Sequence, residues 1–414
     1  MVKHKRYQNG LKLVVNEMES MMSVSVGIIV GAGSVLENAN NNGISHFIEH
    51  VNFKGTERFS AFELSDAFDM IGSQVNAFTS KEITCYYVKS TVPSLERSFD
   101  LLSDLFLNST YKDDELEKEK GVIIEEINMS NDIPEELCLD KLSESYFGNE
   151  GLGRTILGPA ENVKNFGKSD IIAYKKRFYN ADNMVVSFAG AISMEKAEEL
   201  VDKYLLNFVS LSKSDSVEVI SSENRCGSMF TQKDIEQAHL AFAFDGIKYN
   251  DEKSDEFSLI NTVLGAGMSS RLFQKVREEQ GLCYTIYSFP SGYRNVGTLA
   301  IYSGLNADNV TKAYDTIINV VTDLKHGITK NEFERGKAQI VSSFAFGEES
   351  TVSQMMLYGK YFLFTDSYFD QKQKLENINA LTLEQVNDSL KEMNFDRFSL
   401  SLVAKEESTI SIKS

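Results

Sequence analysis

The chain has 414 residues, 42% of them apolar, with four Pro and a formal net charge of −18. That length exceeds one typical core and the composition is that of packed globular structure, so two domains of about 200 residues are expected. The acidity excludes a nucleic-acid binder, which needs a basic surface, and no run of eighteen apolar residues offers a membrane span.

The opening MVKHKRYQNGLKLVV lacks the apolar stretch of a secretory signal and reads directly into a strand, which predicts a cytoplasmic protein. Cys85, Cys138, Cys226 and Cys283 are scattered without CxxC spacing, as expected of reduced thiols. An acidic surface would gather and orient a basic peptide.

An alternating strand, SVSVGIIVGAGS, precedes His46-Phe47-Ile48-Glu49-His50. On a helix, at about 100° per residue, His46, Glu49 and His50 share one face. Two neutral imidazoles four apart suit Zn²⁺, and a Glu beside them that is not a ligand suits a general base. The order HxxEH inverts the commoner HExxH and is one of the zinc-peptidase spacings. VGAGS lacks the third Gly of a dinucleotide fingerprint. Asn76-Ala77-Phe78-Thr79 reads as part of a strand.

A catalytic zinc needs a third protein ligand. The best source is DDELEKEKGVIIEEINMS, residues 113–130, a helix opened by Asp residues. Glu119 and Glu126 lie seven apart, hence about 20° apart on one stripe, so one could bind metal while the other supports it. Spacing alone leaves Glu115, Glu117, Glu119, Glu125 and Glu126 open. Beyond them, Glu136 and Asp140 form a like-charged i, i+4 pair, which costs helix stability unless a cation sits between them.

The polar stretch 210–224 predicts a linker between an N-terminal domain over 1–212 and a C-terminal domain over 225–414. QAHLAFAFDGI opens the second half with the same order of strand, helix, helix and strand as the first. The halves therefore read as a repeat of one α+β unit, each an antiparallel sheet covered by helices on one face. The second half has no HxxEH, so one metal site per chain is expected. LGAGMSSRLF, residues 264–273, lacks the Lys of a P-loop and reads as a turn before a helix. His4, His239 and His326 have no partner at ligand spacing.

The stretches GISHFIEHVNFKGT, GSQVNAFTSKEITCYYVKS, EKEKGVIIEEI and GLGRTILGP resemble the M16B zinc peptidases, which include the β subunit of mitochondrial processing peptidase and bacterial relatives. The likeness extends over nearly the whole chain and implies a fold of two homologous domains that forms a clamshell. It implies Zn²⁺, one ion per chain, held by His46, His50 and Glu126, the last of these seventy-six residues beyond His50. It also implies Glu49 as general base and Glu119 as supporting carboxylate. Phe53 would line the pocket just after the scissile bond, and Asn76 and Ala77 would bind an extended peptide. Glu136 and Asp140 would receive an Arg two residues before the cut. Arg277 and Tyr284 would hold the substrate and donate to the oxyanion. Related single chains with four such domains carry the zinc in the first and the Arg and Tyr pair in the fourth, which implies a homodimer for a chain of two. The expected activity is cleavage of extended, partly basic, presequence-like peptides. The rival is a non-catalytic core or scaffold subunit of the same fold; such subunits lose ligands, and this chain keeps them.

Overall fold

The computed structural model describes residues 1–206 and 224–406. Two compact units are each built on one sheet. The first comprises Met1–Ile127, Thr155–Glu218 as far as it is described, and Phe346–Phe369. The second comprises the described parts of Asn128–Arg154, Val219–Ala345 and Asp370–Ser414. The linker expected at 210–224 lies outside the described residues except for Asn224.

The first sheet contains β1 (Val2–Arg6), β2 (Lys12–Glu17), β3 (Ser23–Val30), β4 (Gln74–Thr79), β5 (Thr84–Thr91) and β6 (Met184–Gly190), in the order β1-β2-β6-β3-β5-β4. The second contains β7 (Ser228–Gln232), β8 (Gln237–Asp245), β9 (Cys283–Gly292), β10 (Gly297–Asn306) and β11 (Phe398–Ala404), in the order β7-β11-β8-β10-β9. Apart from β1 the two orders superimpose, and each chain half ends on a strand that joins the sheet beside its own first long strand. The expected repeat is therefore present in the topology.

Two features differ from a plain antiparallel sheet with one covered face. First, β2 pairs parallel with β6 and β7 parallel with β11. These pairs join strands far apart in sequence, so no hairpin fixes their direction. Second, each sheet carries one helix from the other chain half on its second face. The helix Thr351–Thr365 packs on β2, β3 and β6, and the helix Pro134–Phe147 packs on β7, β8 and β11. In the first unit the exchanged helix brings Tyr358, Phe362 and Leu363 onto Val14, Ile29, Cys85 and Val185. Close approach is possible because Gly359 has no Cβ; one placed there would stand 2.4 Å from Ile29 Cδ1. Strands covered on both faces read as near-continuous apolar runs, as MVVSFAG of β6 does.

On the other face of the first sheet lies the main core, with Val24, Val26 and Ile28 of β3 packed among Phe47, Phe99, Leu102 and Phe188. Among the described residues no helix is long and apolar enough to cross a membrane. The four cysteines are free thiols; Cys85, Cys138 and Cys283 are buried and Cys226 is exposed.

Candidate metal centre

The helix Ile44–Asn52 has two faces with the same spacing. Ile44, Phe47, Ile48 and Val51 follow i, i+3, i+4, i+7 and are all buried in the core. Their burial contributes roughly 1.5–3 kcal/mol per side chain and fixes the rotation of the helix. His46, Glu49, His50 and Phe53 repeat the spacing on the opposite side. The helix end is also tied down: Tyr111 Oη donates to Asn52 Oδ1 at 2.7 Å and Ser109 Oγ to the Asn52 carbonyl at 2.8 Å.

The helix Asp113–Asp132 supplies the carboxylates. Leu116, Glu119, Ile123 and Ile127 form its buried stripe, so one acid is drawn into the apolar face. Glu119 Oε1 meets His50 Nδ1 at 2.8 Å and Glu119 Oε2 meets Lys54 Nζ at 2.6 Å. Glu126, half-buried, places Oε2 at 3.4 Å from His50 Nε2 and 3.8 Å from His46 Nε2. Glu115 instead pairs with Lys118, Glu117 with Lys120, and Glu125 is exposed. The alternatives that spacing leaves open are thus separated by tertiary contact.

The donor set fits a zinc ion. Among the described residues, His46, His50 and Glu126 are the one group of three metal-ligating side chains, their ligand atoms within 4.8 Å of one another. Two ligands at about 2.0–2.2 Å from one ion at the tetrahedral angle lie roughly 3.4 Å apart. The approaches of Glu126 to the two imidazoles are of that size and too long for ordinary hydrogen bonds. Protonation agrees. Burial, aided by the charge of His50, pushes His46 down to about 3, which leaves it a neutral donor. Burial also opposes a charge on His50, but the Glu119 hydrogen bond and the surrounding carboxylates outweigh it and raise the imidazole above its ordinary value. A neutral His50 whose Nδ1–H meets Glu119 would present its Nε2 lone pair to an ion shared with Glu126.

Glu49 is half-buried beside this group. Its Oε2 accepts from Thr79 Oγ1 at 2.5 Å. Burial raises its carboxyl above the ordinary value, against the opposing Thr79 bond. Phe53 caps the helix C-terminus and packs against the core. Asn76 is exposed and Ala77 half-buried on β4, which ends the sheet and pairs on one side only, with β5. The Asn76 side chain accepts from the Ala77 N–H at 2.8 Å.

The remaining predicted residues belong to the second unit. Glu136 and Asp140 sit four apart on the helix Pro134–Phe147, Glu136 exposed and Asp140 half-buried. Arg277 lies within a π-helical turn, Phe273–Glu278, and its guanidinium lies 4.6 Å from the Phe273 ring and 5.3 Å from that of Tyr284. Tyr284 is 77% exposed. Arg277 and Tyr284 are thus brought together. Sequence reading passes over Lys54, Thr79 and Glu37. Lys54 stands four residues after His50, just past the helix end, a legible signal; Thr79 carries none because its partner Glu49 is thirty residues away, and Glu37 carries none because it caps a helix from six residues before a Gly cap position.

A carboxylate clear of the donor group, beside two imidazoles and a carboxylate that can share an ion, defines a metal-dependent hydrolase type of site. The comparisons narrow it. Residues 12–160, which include every candidate ligand, match the family described as Insulinase (Peptidase family M16), and residues 165–340 match the Peptidase M16 inactive domain. The chain is 38% identical over 405 residues, 98% of both chains, to the uncharacterized zinc protease YmxG of Bacillus subtilis. It is 30% identical to an uncharacterized zinc protease of Rickettsia felis over 92% of each. The chain belongs to peptidase family M16. Its fold is also that of a Helicobacter pylori protease, at TM-score 0.89 and 21% identity over 98% of this chain and 99% of that one. A peptidase M16 inactive domain from Pseudomonas fluorescens gives TM-score 0.88 at 20% identity, covering 99% and 98%.

Proposed function

We propose that this chain is a zinc-dependent endopeptidase that cleaves extended, partly basic, presequence-like peptides. The observation that carries the reading is a complete donor group, His46, His50 and Glu126, with a carboxylate outside it, Glu49, on the helix that carries both imidazoles. His46, His50 and Glu126 hold the ion. When bound, zinc supplies Lewis-acid polarisation of the scissile carbonyl and acidifies a water. Glu49, made more basic by burial, takes up a proton on its carboxylate and passes it to the leaving amine. Thr79 holds Glu49 Oε2, so Oε1 is the oxygen left to work. Glu119 keeps His50 in the tautomer that presents Nε2.

An extended peptide adds to the open edge of β4, where its backbone takes over the Ala77 N–H from Asn76. Glu136 and Asp140 receive an Arg two residues before the cut, Phe53 contacts the residue after it, and Tyr284, with Arg277, donates to the developing oxyanion. The ion is one per chain, and two copies form the working homodimer. The match of residues 165–340 to the Peptidase M16 inactive domain favours a second reading, a non-catalytic subunit, but the candidate ligands lie outside that segment.

The test is metal content together with turnover. Purified protein should hold zinc and cut unfolded peptides, and Glu49→Gln should keep the zinc while losing turnover by several orders of magnitude. Zinc-loaded wild type without peptide turnover would favour the non-catalytic reading. Near-normal turnover in Glu49→Gln would remove Glu49 as the base.

A further inference from the structure

His46 and His50 are held in different ways. His50 Nδ1 meets Glu119, the usual second contact of a metal-binding imidazole. His46 Nδ1 is buried and has no hydrogen-bond partner among the described residues. With no polar anchor on Nδ1, the His46 ring is placed by packing, including an edge contact with the His50 ring at 4.5 Å, and by the backbone that carries it. That backbone is the first turn of a helix, since His46 is the third residue of Ile44–Asn52. A first turn is where N–H groups lack intrahelical partners and where helices fray.

The residue in front cannot cap it. Gly43 has a φ of 100° and no side chain, and a Cβ there would stand 2.5 Å from the Leu157 carbonyl oxygen. Glu37, six residues upstream and 4% exposed, supplies the missing acceptors. Its Oε2 accepts from the Gly43 N–H at 2.7 Å and from Asn42 Nδ2 at 2.9 Å, and its Oε1 accepts from the Ser45 N–H at 2.8 Å. The same turn is fastened from outside: Ser45 Oγ and Tyr174 Oη lie 2.8 Å apart, and Asn42 Nδ2 donates to the Thr155 carbonyl at 2.9 Å. A negative group at this end also meets the positive pole of the helix. An ordinary Ser or Asp cap satisfies a first turn without burying a carboxylate. Here the capping carboxylate comes from the segment that leads into the helix and is itself buried, and the contacts with Tyr174 and Thr155 lock that capped turn to the body of the unit.

We propose that Glu37 is a positioning residue of the metal centre: its carboxylate locks the first helical turn and, through it, orients His46, as Glu119 orients His50 directly. The proposal rests on the reading that the centre binds zinc.

The test uses the full chain with Glu37→Gln, which keeps one good acceptor and turns an NH2 group toward an N–H donor. Three quantities are measured: zinc Kd by chelator competition, the visible spectrum of the cobalt-substituted protein, and the thermal midpoint of the metal-free protein. The expected result is zinc binding weakened tenfold to a hundredfold with an altered cobalt spectrum, in a protein that still unfolds cooperatively. Glu63→Gln is the control, because Glu63 caps another helix in an exposed capping box; it should lower the midpoint without moving Kd or spectrum. If Glu37→Gln does not fold, Glu37→Asp, which keeps the charge one methylene short, should weaken zinc in the same direction. A folded variant with wild-type Kd and an unchanged cobalt spectrum overturns the proposal. Wild-type protein that binds no zinc would instead sink the reading of the centre itself.

Discussion

Glu119→Gln tests how far the centre depends on a residue that donates nothing to the ion. Glu119 is 4% exposed and divides its two oxygens between His50 Nδ1 at 2.8 Å and Lys54 Nζ at 2.6 Å. Glutamine offers one carbonyl oxygen for these two donors, so either His50 or Lys54 must face the new NH2 group. Loss of such an outer contact costs tenfold to a hundredfold in metal affinity, about 1.4–2.8 kcal/mol. The fold pays separately. One lost charge-assisted hydrogen bond is worth about 1.5–3 kcal/mol, which in a unit of about 200 residues lowers Tm by roughly 3–12 °C. Zinc Kd from chelator competition and the melting curve of the metal-free protein give the two quantities independently. Glu117→Gln is the comparison, since its side chain is 71% exposed on the same helix and should leave both unchanged. Wild-type zinc affinity in Glu119→Gln would refute the argument that the carboxylate fixes His50.

Glu126→Gln should lose most bound zinc after gel filtration, whereas Glu125→Gln, exposed one position earlier, should keep it; equal losses would mean the helix register is misread. In the second unit, burial opposes the charge of Glu332, but the Arg271 fork and the Thr329 N–H overcome it and hold the carboxyl at about 2. A depressed carboxylate stabilises the fold above its unfolded value and loses that contribution as pH falls, so wild type should lose roughly 2 kcal/mol between pH 5 and 3 through this group alone. Denaturant midpoints should show that slope flattened in Glu332→Gln, and an identical slope would dismiss the pair as the cause. For two chains that lend Arg277 and Tyr284 to each other's zinc, mixing inactive Glu49→Gln with inactive Tyr284→Phe should restore about a quarter of wild-type turnover, since half the dimers are mixed and each has one intact site. With both parents shown dead and exchange confirmed, no recovery would exclude sharing between chains.

What could be read from the sequence is what lies close along it. HxxEH is legible because one helix carries all three groups, and the repeat is legible because each half cycles through the same elements. The choice between Glu119 and Glu126 is not, because they differ by about 20° around the helix and only contact with His50, Lys54 and His46 separates them. Glu37 is silent for a related reason: nothing in GSVLENANNNG says that a Glu will serve as the cap of a helix whose own cap position is Gly. The exchanged helices are equally mute. An apolar helix pattern such as TVSQMMLYGKYFLFT marks burial but not which sheet it will cover.

That exchange has a consequence for how the protein is made. When the ribosome has finished the described first stretch at residue 206, Val14, Ile29, Cys85 and Val185 still await the helix that covers them, which ends at Thr365. At about 5–20 residues per second, the intervening chain takes roughly 8–30 s to synthesise. Throughout that interval the nascent first half shows an apolar sheet face to solvent and cannot complete its fold, although the segment carrying every candidate zinc ligand has already been made. Synthesis order, rather than final stability, then sets the period in which this chain most needs a chaperone.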